Sequence, residues 1–204
     1  MVIVGVLALQ GAFIEHEHKL RAVGVEAREV RLPADLAGID GLIIPGGEST
    51  TIGKLIDRFA LREPILRLAR AGTPIWGTCA GMILLAKDVD PDTRAREQPL
   101  LGLMDVVIRR NAFGSQLDSF ETTLDIPVLG DAPVPVVFIR APIVSWVGPA
   151  VEVLARLPDG RPVAIRQENL VATAFHPELT TDTRFHAWFA ALARAHAELT
   201  PAAH

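Results

Sequence analysis

The chain has 204 residues, half of them hydrophobic, with 22% charged residues and a formal net charge of −4. That composition supplies apolar surface for a sizeable core in a single domain, 1–204. An acidic balance without a basic run, and without any tyrosine, argues against a nucleic-acid surface, and the lone cysteine, Cys79, excludes disulfides within the chain and multi-cysteine metal sites.

The apolar start, residues 2–9, has no basic region before it and no cleavage pattern, so it reads as a buried first strand rather than a signal peptide. No apolar run approaches the ~20 residues of a membrane span. The expectation is a cytoplasmic protein that makes no membrane contact.

Residues 12–24 carry Phe13, Leu20 and Val23 at helical spacing and close on Gly24. His16 and His18 sit two apart on this helix and face different ways, a poor metal pair, and are read as surface or helix-end histidines. A strand over 25–32 and another over 41–44 follow. Residues 51–71 form a helical stretch interrupted at Pro64 and closed by Gly72, and 74–79 form the next strand. The polar segment 87–99 reads as a solvated loop. Short strands are expected at 104–109, 120–126, 134–140, 143–147, 151–157, 161–166 and 170–175, with Asp159-Gly160 as a hairpin turn. A final helix covers 181–199, with Asp182 as its cap and Phe185, Trp188, Phe189 and Leu192 on one face. Strand–helix alternation in the first half implies a mostly parallel α/β sheet with helices on both faces, to which antiparallel strands are added. In such sheets ligands sit beyond the carboxyl ends of the strands. Gln10-Gly11, Gly46-Gly47 and Cys79 all fall at such ends and are expected to be neighbours.

Three constellations carry chemistry. Gly77-Thr78-Cys79-Ala80-Gly81 lies between an apolar strand and an apolar helix start, the form of a nucleophile elbow. The turn strains the nucleophile, its neighbours must be tiny, and the helix N-terminus favours thiolate over thiol. Residues 170–175 then run into His176-Pro177-Glu178, where extended chain turns the imidazole and carboxylate to one side. A carboxylate there fixes the tautomer of the imidazole and stabilises the imidazolium, so Cys79, His176 and Glu178 form a candidate triad. Finally, the strand 41–44 ends in Pro45-Gly46-Gly47-Glu48-Ser49-Thr50-Thr51. The N–H groups of Gly47 and Ala80 are suited to an oxyanion hole, and Ser49 or Thr50 to capping the next helix. His186, His196 and His204 have no neighbouring ligand set, and no metal or cofactor is expected.

Elbow, glycine loop and His-x-Glu pair together resemble the class I, triad-type glutamine amidotransferases. Six segments narrow the likeness: Gly5–Gly11, Pro45–Thr51, Gly77–Met82, Arg110–Gly114, Phe138–Pro142 and Phe175–Thr180. In their order along the chain they resemble the glutaminase subunits of pyridoxal 5'-phosphate synthase. The departure is Ser115, where that family's pattern has arginine. The resemblance implies a three-layer, flavodoxin-like α/β fold with added antiparallel strands and hydrolysis of L-glutamine to glutamate and ammonia. It implies glutamine binding by Gly47, Glu48, Ser49, Arg110, Ile139 and Arg140. It further implies a separate synthase subunit as partner, with Gln10 placed to transmit its contact. The triad chemistry alone also fits the glutaminase subunit of another biosynthetic amidotransferase. The elbow alone fits a cysteine-elbow hydrolase or chaperone, which has no need of His176-Pro177-Glu178.

Overall fold

The computed structural model describes residues 2–94, 97–110 and 119–199. Asn111 to Gly114, Ser115 and the last five residues lie outside that set. In chain order the elements are β1 (Ile3–Leu7), α1 (Phe13–Ala22), β2 (Glu26–Val30), β3 (Gly41–Ile44), α2 (Ser49–Arg58), α3 (Arg62–Arg70), β4 (Ile75–Thr78) and α4 (Ala80–Leu85). Then come β5 (Ala86–Val89), α5 (Pro91–Arg94), β6 (Met104–Arg109), β7 (Ser119–Leu124), β8 (Val134–Ile139) and β9 (Ile143–Val147). The chain continues through β10 (Glu152–Arg156), β11 (Pro162–Gln167), β12 (Leu170–Thr173) and α6 (Arg184–Leu199).

The main sheet has seven strands in the order β10-β11-β12-β4-β3-β1-β2. Its five strands from β12 to β2 are parallel, and β10 and β11 extend it antiparallel beyond β12. Two smaller sheets, β5-β6-β9 and the hairpin β7-β8, complete the strands. The expected mostly parallel α/β fold with added antiparallel strands is therefore present.

Side-chain alternation along β4 assigns the two faces. Trp76 is fully buried and stacks on Phe185 of α6 at 4.7 Å, with His16 of α1 edge-on at 5.5 Å. Gly77, on the opposite face, lies against Gly81 and Leu85 of α4. Helices α1 and α6 thus cover one side of the sheet and α4 the other. Strands β1, β3, β4 and β12 are buried almost throughout, as parallel strands sandwiched between helices must be. A run of rings, Phe120, Phe138, Phe175 and Phe185, ties the β7-β8 hairpin to Trp76 at centroid spacings of 4.6 to 6.0 Å.

Three expectations need correction. The helical stretch 51–71 is two helices, and the break falls at Ala60, whose φ is +56°, rather than at Pro64. Pro64 sits in the first turn of α3, where its missing N–H costs nothing. The segment 87–99 is only partly loop. Residues through Val89 form β5, parallel to β6, and the Asp90 carboxylate accepts the N–H groups of Asp92 and Thr93 to start α5. Finally, His16 is fully buried, whereas His18 is exposed as expected.

Two substitutions test this packing. Phe189 of α6 is fully buried against Gly41, and Phe189→Ala is expected to cost about 3–5 kcal/mol in chemical denaturation. A methyl on Gly81 would lie 2.1 Å from the Ile44 carbonyl oxygen, so Gly81→Ala is expected to destabilise by about 3 kcal/mol or more.

Candidate active site

Cys79 stands between β4 and α4 at φ +48° and ψ −99°, a strained conformation for a residue with a side chain. Its N–H donates to the Thr173 carbonyl at 2.7 Å, so the neighbouring strand β12 pins the elbow. The flanking glycines are steric necessities. A Cβ on Gly77 would lie 2.5 Å from the Gly81 backbone, and one on Gly81 would strike the Ile44 carbonyl of β3. With both positions bare, α4 begins directly at the sulfur, and the first-turn N–H of Ala80 has no partner within the helix by position.

His176 follows β12, and its N–H donates to the Val137 carbonyl of β8 at 2.8 Å. Its Nδ1 lies 2.6 Å from Glu178 Oε1. The two side chains meet as expected, but through a 3-10 turn over Pro177–Leu179 rather than along extended chain. Burial works against a charge on His176. Hydrogen bonds to Cys79 and Glu178, with the fields of both, overcome it and raise His176 to about 10. The structure therefore brings Cys79, His176 and Glu178 together, with Cys79 8%, His176 6% and Glu178 3% exposed.

The glycine loop is built against this pair. A Cβ on Gly46 would lie 2.3 Å from His176 Cε1 and 3.3 Å from Cys79 Cβ. The Gly46 carbonyl accepts the Ala12 N–H at 3.0 Å, and Gly11, at φ +103°, passes so close that a Cβ there would lie 1.9 Å from that oxygen. Across a trans peptide N–H and C=O point oppositely, so the Gly47 N–H is turned away from Ala12. Gln10 clamps the loop from the other side, its Oε1 accepting the Glu48 N–H at 2.8 Å.

Glu48, rather than Ser49 or Thr50, caps α2. Its carboxylate accepts the N–H groups of Thr50 and Thr51 at 3.1 and 2.7 Å and the Thr51 hydroxyl at 2.7 Å. Arg110 Nη2 donates to the same carboxylate at 2.9 Å. Partial burial opposes ionisation, but these bonds outweigh it and lower Glu48 to about 2, so it is anionic throughout the neutral range. Ser49 is buried and donates to Gln98 Oε1 at 2.7 Å, which Arg110 Nη1 also reaches at 3.1 Å. Gln98 carried no sequence signal, because it lies in a polar segment and acts only through residues distant in the chain.

A cleft of about 270 Å³ opens over the sulfur. It is lined by Gln10, Gly47, Glu48, Ser49, Cys79, Ala80, Ile83, Arg110, Ile139, Arg140 and His176, so every sequence-predicted site residue except buried Glu178 reaches it. The Ile139 carbonyl lies 3.8 Å from the Cys79 sulfur, and Arg140 is exposed at φ +43°. Among the described residues no group of three or more His, Cys, Asp or Glu is arranged to hold a metal ion.

Comparison with known proteins agrees with this architecture. Residues 6–194 match the SNO glutamine amidotransferase family. The chain is 65% identical over 189 residues to "Pyridoxal 5'-phosphate synthase subunit PdxT" of Herpetosiphon aurantiacus, covering 93% of this chain and 99% of that one. It is 56% identical over 191 residues to the protein of the same name from Dehalococcoides mccartyi, covering 94% and 97%. A solved structure titled "Crystal structure of glutamine amidotransferase" superposes with a TM-score of 0.87 at 47% identity, covering 94% of this chain and 98% of that one. The chain belongs to the SNO glutamine amidotransferase family.

Proposed function

We propose that this chain is a cytoplasmic, single-domain glutaminase that hydrolyses the side-chain amide of L-glutamine through Cys79, His176 and Glu178 and passes ammonia to a pyridoxal 5'-phosphate synthase subunit. The observation that carries the reading is the strained Cys79 sharing a cleft with His176, whose Nδ1 is held by Glu178 at 2.6 Å. The printed names of the relatives support the choice of substrate and partner.

In this mechanism Cys79 attacks the amide carbon of glutamine as the thiolate, paired with the His176 imidazolium. The Gly47 and Ala80 N–H groups receive the developing oxyanion, each such donor contributing about 2.7–4 kcal/mol. His176 gives its proton to the leaving nitrogen, the C–N bond breaks, and ammonia departs from a glutamyl thioester. The now neutral His176 takes a proton from water, hydroxide adds to the thioester, and the C–S bond breaks to release glutamate and restore thiolate and imidazolium. Arg110, Glu48, Ser49 and the Ile139-Arg140 backbone rim the cleft and suit the carboxylate and ammonium of a free amino acid. Glu48 already has Arg110 and two helix N–H groups as partners, so its second task is to set the position of Arg110.

Cys79→Ala and His176→Ala are each expected to lower glutaminase turnover by about 10³-fold or more, with Glu178→Gln one to two orders of magnitude milder. Ammonia release by Cys79→Ala at the wild-type rate sinks the reading. The pH profile gives a second check. A histidine raised to about 10 stays protonated below that value and loses its proton above it. The acylation-limited rate is expected to hold through pH 9 and fall near pH 10; a fall near pH 6.5 contradicts the pairing.

A third check concerns the partner. Gly46 and Gly47 form the one peptide of the oxyanion loop without side chains, and Gln10 holds it from the strand end. Binding of the synthase subunit next to Gln10 is expected to raise glutaminase activity. Gln10→Ala is expected to reduce that increase without emptying the triad. Equal activity with and without the synthase subunit refutes the coupling.

A further inference from the structure

Behind Glu178, on the side away from His176, lies a polar chain that the mechanism above does not use. Glu178 Oε2 is buried without a hydrogen-bond partner, and the nearest imidazole nitrogen, His16 Nε2 of α1, lies 3.5 Å away. The same nitrogen is 3.2 Å from Thr78 Oγ1, and His16 Nδ1 is 2.9 Å from His186 Nε2 of α6. Both histidines are fully buried, and His186 Nδ1 has no hydrogen-bond partner.

Hydrogen-bond accounting selects one arrangement of protons. If His16 carried its proton on Nδ1, His186 would have to accept it on Nε2 and bury an unpartnered Nδ1–H. His16 would also turn a lone pair toward a carboxylate oxygen. With the protons on the two Nε2 atoms, His186 donates to His16 Nδ1, and the His16 Nε2–H donates to Thr78 Oγ1 and faces Glu178 Oε2 at 3.5 Å. Only acceptor atoms, His186 Nδ1 and Glu178 Oε2, are then left without a hydrogen bond, the cheaper loss. We propose that His16 is a positioning residue of the site, its Nε2–H turned toward the second oxygen of Glu178 so that the first faces His176, with His186 fixing the tautomer of His16.

The inference rests on the triad reading of Cys79, His176 and Glu178. The surroundings of His16 keep it neutral. Burial lowers its pKa well below the usual value, assisted by the fields of His186 and His176. His186 is lowered to about 3, by burial first and then by the Lys19 cation. Lys19 itself lies on α1 and donates to the Thr180 carbonyl, just past Glu178. Trp76 from β4 packs edge-on against both rings. A neutral donor of fixed tautomer steadies the carboxylate across the working pH range without titrating, so it orients the triad and is not a proton relay.

Two isosteres separate this role from simple packing. His16→Gln keeps a nitrogen where Nε2 stood, and His16→Asn keeps one where Nδ1 stood. Each variant is assayed in complex with the synthase subunit, beside Cys79→Ala and wild type, at matched folded fraction from near-ultraviolet circular dichroism. His16→Asn is expected to lower kcat about tenfold or more, with KM for glutamine within about twofold. Its alkaline limb is expected about one pH unit lower, because the imidazolium has lost a fixed carboxylate. His16→Gln is expected to recover most of the rate and the limb. Equal impairment of the two variants, or wild-type kcat and pH limb in His16→Asn, overturns the positioning role. Activity retained in Cys79→Ala overturns instead the triad reading beneath it.

Discussion

A single close approach underlies the site: the Ile44 carbonyl at the end of β3 lies against the Cα of Gly81, where even a methyl would come to 2.1 Å. That contact seats the first turn of α4 directly on the central strands. Because α4 cannot stand further off, the residue joining β4 to α4 must turn in too few atoms, and Cys79 takes φ +48° to do so. The cost of one strained residue, on the order of 1–3 kcal/mol, is met by the sheet on either side. In return the sulfur projects over the strand ends with a helix start beneath it. The glycine loop, the base and the cleft are all measured from that fixed point.

Around it the site is assembled from pieces with no freedom to drift. Gly46 is wedged between His176 and Cys79, Gly11 lies under the Gly46 carbonyl, and Gln10 holds the Glu48 N–H. Glu48 illustrates economy of a particular kind, since one carboxylate starts α2 and also aligns Arg110 at the cleft wall. Such sharing couples local stability to site geometry: movement of the cap moves the guanidinium. The polar cluster of His16, His186 and Glu178 does the same between α1, α6 and the turn after β12.

Much of this was legible in the chain. Continuous apolar strands mark a parallel sheet, and glycines two residues either side of Cys79 mark the elbow, because both patterns are imposed by local sterics. The features without a local signature depend on partners far along the chain. Residues 87–89 read as part of the polar loop 87–99, since a four-residue strand with two polar positions has no periodicity of its own until β6 lies beside it. His16 sits among Glu15, Glu17, His18 and Lys19, so its helix looks solvated, yet α6 and β4 close over it. Serine and threonine are the commoner caps, so the sequence favours Ser49 or Thr50, whereas the longer side chain of Glu48 supplies the cap by reaching two N–H groups. The helix break at Ala60 is likewise invisible beside Pro64, the stronger signal, which the first turn of α3 absorbs.

The pairing of β12 with β4 joins segments nearly a hundred residues apart, and β12 is also the strand that delivers His176. Strands β1 to β4 and helix α4 come from the first 85 residues, so the elbow precedes its base by half the chain in order of synthesis. Pairing of such separation is slow to form compared with local structure. A nascent or partly folded chain therefore carries Cys79 without His176 beside it. If Cys79 acts as proposed, the folding order itself is a safeguard, because His176 arrives only when the C-terminal third inserts β12 beside β4.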